Sequence, residues 1–236
     1  MPLSRRGRRI FVGCVEPQRV VGITTSLSTP PRLKSVVRPQ TTEVLAYHCS
    51  ARNWGWIVAN LLYVDNSNVW IEGMHVAAAH NGLATDVWSA VQGRVCDYSW
   101  KLDFGKLFQF AGGERGEVKR AVLFGSRPPK NDSLWTAAER NGFDVVVYDR
   151  NIVGREKKID TDVVATIMED SYEVLTMAED EITLVSGDAD YVPMIEKLTR
   201  RGIPVHVVFW AHASREIKDV ATKFVSLDPF LQHLAR

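Results

Sequence analysis

Five short apolar runs constrain the fold of this chain more than any other feature. They are "WIVANLLYVD" (56–65), "VKRAVLFG" (118–125), "FDVVVYD" (143–149), "EITLVSGD" (181–188) and "IPVHVVFW" (203–210). Apolar residues fill them almost continuously instead of alternating with polar ones. A strand of that kind is buried on both faces, which is the condition of a parallel sheet covered by helices. Helical patterns lie between the runs. Residues 131–141 open on Asn131-Asp132-Ser133, a cluster of N-cap formers. Residues 161–178 carry Val164, Ile167, Met168, Ser171 and Leu175 at helical spacing. Residues 190–201 carry Val192, Ile195 and Leu198 and stop near Gly202-Ile203-Pro204, and a fourth pattern covers 214–223. Strand–helix alternation predicts a three-layer α/β/α architecture, a doubly wound and mostly parallel sheet.

Charge is unevenly spread. Residues 1–42 hold eight Lys/Arg against Glu16 alone, which leaves 21 Lys/Arg against 27 Asp/Glu in the rest. Residues 1–55 are basic and rich in Ser, Thr and Pro, and read as a disordered N-terminal extension. Their Arg- and Ser/Thr-rich, acid-poor texture is also that of an organelle transit peptide, or of a stretch upstream of the true start. Residues 56–236 form the folded domain. Cys14, Cys49 and Cys96 are odd in number and match no zinc-site spacing, so they read as reduced thiols. No apolar run approaches the ~20 residues of a membrane span.

Acids stand where those strands end. Asp65 closes the first run, Asp188 and Asp190 follow the fourth in "SGDAD", and Asp160 and Asp162 open a helix in "KKIDTD". Ligands of open parallel sheets sit beyond the carboxyl ends of the strands. Two like charges about 4 Å apart repel by roughly 4 kcal/mol at an effective dielectric near 20. A divalent cation removes that cost, and carboxylate and amide oxygens are the donors that Mg²⁺ and Mn²⁺ prefer. Each acid alone has a structural alternative: Asp160 and Asp190 as helix caps, Asp188 as a turn former beside Gly187. Asn68, three residues past Asp65, has an amide that can reach a metal-bound water or a phosphate. Glu72 reads as a solvated helical acid. His75 and His80 are five apart, not the i, i+4 spacing of a helical metal pair, and His206 reads as a packed residue in a strand.

With these residues in view, the chain resembles the NYN domain, the LabA-like branch of the PIN-like ribonuclease fold. The family's D-G-x-N after the first strand is matched by "DNSN" (Asp65 to Asn68), its K-G-V-D by "KKID" (Lys157 to Asp160), and its S-G-D-x-D-F-x-P by "SGDADYVP" (Ser186 to Pro193). Asn66 and Lys158 stand where the family often has Gly, and Thr166 where many relatives have a further Asp. The resemblance implies a cytosolic, Mg²⁺- or Mn²⁺-dependent ribonuclease acting on single-stranded or structured RNA. It implies that Asp65, Asp160, Asp188 and Asp190 hold the metal, with Asn68 beside them. RNA requires positive charge at the same rim. Arg127, Lys130, Arg155, Lys157 and Lys158 supply it from two loops after predicted strand ends, and Trp135 is either a base-stacking ring or a buried one. Rival readings are a catalytically weak RNA-binding or regulatory scaffold and a von Willebrand A-type metal-dependent adhesion module. Against the latter, Val69 takes the place of the second Ser of D-x-S-x-S.

Overall fold

The computed structural model describes residues 59–127, 133–149 and 157–236. The expectations for residues 1–55, and for Cys14 and Cys49 within them, lie outside the described residues. Along the chain, β1 (Ala59–Asp65) leads into α1 (Asn66–His80), followed by α2 (Val87–Gly93) and α3 (Phe104–Gly112). Then come β2 (Val118–Arg127), α4 (Ser133–Arg140), β3 (Asp144–Asp149) and α5 (Lys157–Glu173). The chain continues through β4 (Asp180–Val185), a 3-10 turn (Ala189–Tyr191), α6 (Val192–Arg200), β5 (Val205–Phe209), α7 (Arg215–Val220) and β6 (Lys223–Ser226).

The six strands form one sheet in the order β3-β2-β1-β4-β5-β6, and every pairing is parallel. Burial on both faces, read from the continuous apolar runs, is the state of the central strands: Leu61, Leu62, Tyr63 and Val64 of β1 and Ile182, Leu184 and Val185 of β4 have no exposure. The doubly wound architecture expected from the sequence is thus observed. The chain winds outward from β1 through β2 to β3, then crosses back to lay β4 against the other side of β1. This reversal is the topological switch point, where adjacent crossovers leave a crevice above the sheet. Val64 lies opposite Val185, so the residues that follow, Asp65 and Ser186, reach that crevice side by side.

The helices differ from expectation in detail. α5 begins four residues before 161 and ends at Glu173, and its buried face is Ile159, Val163, Ile167 and Ser171, with Val164 only half-buried. The helical pattern over 214–223 is cut short at Val220, and the chain enters β6, an edge strand that the sequence analysis did not anticipate. Gly73 lies in the middle of α1, where glycine costs roughly 0.5–1 kcal/mol relative to alanine. Its place is explained by packing: a Cβ would come within 2.6 Å of the Trp100 ring and 2.7 Å of Trp210. The two indoles meet edge to face at 5.8 Å, and Trp210 Nε1 donates to the Val69 carbonyl at 2.9 Å. This close packing fixes α1 on the sheet, and with it the start of α1 at the crevice. Among the described residues, no helix is long and apolar enough to cross a membrane.

Candidate active site

Asp65 is the last residue of β1 and the N-cap of α1. Its Oδ1 accepts the Asn68 backbone N–H at 3.1 Å. Asn68 in turn fastens the helix to the next strand: its side-chain Oδ1 accepts from Ser186 Oγ at 3.1 Å and from the Gly187 N–H at 3.0 Å. The Ser-Gly-Asp turn after β4 is therefore held directly against the first turn of α1. Glycine is required at 187 because the Phe209 ring fills the space a Cβ would take. From the far side, the Ser214 N–H donates to the Gly187 carbonyl at 3.2 Å. Asp188 then caps the 3-10 turn, its Oδ1 accepting the Asp190 N–H at 3.0 Å. That turn carries Tyr191 into the core, where its hydroxyl lies 3.2 Å from Asp65 Oδ2 and 3.3 Å from Asp160 Oδ1. Asp160 comes from the first turn of α5.

Electrostatics follow from this enclosure. Asp65 is only 4% exposed, and its pKa is pushed up to about 6. Loss of solvent is the largest cause, and the nearby Asp160 and Asp188 raise it further. The Asn68 N–H and the Tyr191 hydroxyl pull the other way without cancelling the rise. Burial, and then the Asp65 and Asp160 charges, push the Tyr191 hydroxyl far up, so it stays a neutral donor. Asp160 and Asp188 are half-buried. Asp65 is thus a buried carboxylate whose hydrogen bonds do not fully offset its burial and its acidic neighbours. In charge and in donor type, all hard oxygens, the set suits Mg²⁺ or Mn²⁺. Among the described residues, no group of three or more His, Cys, Asp or Glu is set to hold an ion as it stands.

Of the acids singled out in the sequence, Asp65, Asp160 and Asp188 come together at the crevice. Asp190 is exposed, and its backbone rather than its carboxylate contacts Asp188. The Asn68 carbonyl oxygen is committed to the Ser186-Gly187 turn. The backbone of Arg127 closes β2 beside Asp149 of β3, and Lys157 and Lys158 open α5. The side chains of these three residues lie outside the described residues, as do Lys130 and Arg155 entirely. Trp135 is 4% exposed and packs over Gly125, so it is a core ring and not a base-stacking one. His75 is buried with Nδ1 2.8 Å from the Val95 carbonyl, and His80 is exposed. His206 is not sealed in the core; it is half-buried, 3.5 Å from Glu181.

Two features escaped the sequence. Glu72 is not simply solvated: its Oε2 meets His212 Nε2 at 2.7 Å, joining α1 to the loop after β5. Tyr191 bridges two of the acids, and only its place within "SGDADY" hinted at proximity.

Comparison with known proteins places these observations. The model of the NYN domain family matches residues 68–228. That span takes in Asn68, Asp160 and the Ser186–Tyr191 turn and starts just after Asp65. No curated protein matches the chain. Among solved structures, it is similar to a protein of unknown function from Vibrio parahaemolyticus, with a TM-score of 0.52 and 18% identity over 72% of this chain and 93% of that one. This likeness concerns the fold.

Proposed function

The chain belongs to the NYN domain family, and from that premise we propose that it is a metal-dependent ribonuclease centred on Asp65, Asp160 and Asp188. The family lies within the PIN-like nucleases, which generally use divalent metals, and its domains typically act on RNA. The observation that carries the reading is the buried Asp65, raised to about 6 and set against two further acids at the β1–β4 switch point. A carboxylate perturbed by burial and by neighbouring acids in a crevice is a functional-site candidate with a physical rationale.

In this reading Asp65, Asp160 and Asp188 hold Mg²⁺ or Mn²⁺, and Asp190, on the exposed side of the turn, orients water toward them. The cation, when bound, supplies charge neutralisation and activation of water for attack on a phosphodiester. Asn68 acts by position: its two accepted bonds keep the Asp188 turn in register with Asp65. Arg127, Lys157 and Lys158 stem from the same rim by backbone position, and RNA phosphates require counter-charge of this kind. We assign the protein to the cytoplasm on the family resemblance.

A second reading, a catalytically weak RNA-binding scaffold, draws on Thr166, which stands where many relatives carry an acid. One experiment separates the two. A labelled single-stranded RNA is incubated with the full chain in Mn²⁺, in Mg²⁺ and in EDTA, with Asp188→Asn alongside. The nuclease reading expects metal-dependent cutting that falls by at least about 10²-fold in the variant, the scale lost with one electrostatic group of a site. RNA binding without cutting by the folded wild type would establish the scaffold instead.

A further inference from the structure

We propose that the Tyr191 hydroxyl is the positioning group of this centre, tying Asp65 to Asp160 from the core side and so setting the width of the metal site. The inference rests on the nuclease reading for the presence of a metal, but its own evidence is separate.

Tyr191 has no exposure, so its hydroxyl reaches the two carboxylates from within the core and does not stand between them and solvent. One phenolic proton faces two acceptors, Asp65 Oδ2 at 3.2 Å and Asp160 Oδ1 at 3.3 Å. Both bonds are long, as expected for a single shared donor. Each carboxylate oxygen has a second lone pair, so neither bond prevents a cation from approaching on the outer side. The same residue ends the 3-10 turn that Asp188 caps. One phenol therefore links the end of β1, the first turn of α5 and the turn after β4, the three segments that carry every candidate ligand. The family motif quoted above has Phe here. A phenylalanine would fill the same volume and leave the Asp65 and Asp160 oxygens without this donor. The hydroxyl is thus explained by the acids and not by packing. Groups that orient metal ligands from behind typically change metal affinity about 10–100-fold when removed.

The test compares wild type with Tyr191→Phe in the full chain. Mn²⁺ binding is followed by the EPR signal of the free ion, and unfolding is followed by circular dichroism in EDTA. The expected result is a Kd for Mn²⁺ weakened about 10–100-fold, with the Mn²⁺ dependence of cutting moved to higher concentration by the same factor. Equal affinity in the two proteins would overturn the inference while leaving the nuclease reading intact. A wild type that binds no Mn²⁺ would overturn both, and only that result does so. If Tyr191→Phe does not fold, wild type labelled at tyrosine ¹³Cζ decides. Diamagnetic Mg²⁺ should shift one of the six tyrosine resonances well beyond the others, and six unmoved resonances would refute the proposal.

Discussion

Asp65→Asn should make the metal-free protein more stable while disabling it. The carboxylate is raised from 3.8 to about 6 in the fold, mainly by loss of solvent. At 1.36 kcal/mol per pKa unit, keeping it ionised costs the folded state about 3 kcal/mol. The folded state holds this proton more tightly than the unfolded chain, so stability falls as pH rises from about 4 to about 6 and stays low above that. Asparagine carries no such cost. It caps helices about as well as aspartate, so the bond from the Asn68 N–H survives. Its amide can donate to the Tyr191 oxygen, which keeps its own proton for Asp160. With little lost, a gain of about 2–3 kcal/mol remains at pH 7. At roughly 2–4 °C per kcal/mol for a domain of this size, that is a rise in Tm of about 4–12 °C. The assay is thermal unfolding of both proteins in EDTA between about pH 3.5 and 8. The two Tm values should converge near the ordinary carboxylate pKa and separate fully above about 6. A variant no more stable than wild type at pH 7, or a gap that persists undiminished at the acid end, would refute the argument that Asp65 is held at an electrostatic cost.

Three other substitutions probe the frame around it. Asn68→Ala removes the acceptor for Ser186 and Gly187; it should cost about 1–3 kcal/mol and lower activity, and unchanged unfolding would show the turn to be held by other means. Gly187→Ala drives a methyl into the Phe209 ring; overpacking of about 1–3 kcal/mol is expected, and Phe209→Leu in the same chain should restore much of the lost Tm. Glu72→Ala leaves His212 Nε2 without its partner and should destabilise by about 1–3 kcal/mol while the Mn²⁺ dependence of cutting stays put, because this pair braces α1 and not the acids; a shifted Mn²⁺ curve would contradict that.

The layered architecture could be read from the sequence because it depends on a property carried residue by residue. A strand buried on both faces is nearly all apolar: Leu61 to Val64 are, and so are Ile182, Leu184 and Val185, with Thr183 a polar exception that donates to Asn60 Oδ1 at 3.2 Å. β6 failed that signal: "KFVS" has four residues at the sheet edge, exposed at Lys223, and too few apolar positions to stand out from the helical pattern before it. The α5 boundary was misread for a related reason. Lys157 and Lys158 look like loop residues, yet they supply the turn that brings Ile159 onto the sheet.

The site was legible to the same depth and no further. Asp65 and Asp188 could be paired in advance because strand ends converge in a parallel sheet whatever their side chains do. Asp160 followed only because its helix starts at the same rim. What the sequence cannot carry is which side chains meet across elements. Asn68 reads as an amide reaching for a metal-bound water or a phosphate until its oxygen is found on Gly187, 119 positions away. Glu72 reads as solvated until His212 closes on it, 140 positions away. Tyr191 follows the same rule with more consequence. In a linear motif it is an aromatic in an aromatic's place, and the distinction between phenol and phenyl has no local meaning. It acquires one only when the fold buries Asp65 with Asp160 beside it, because a phenol can donate to the carboxylates it meets there and a phenyl ring cannot.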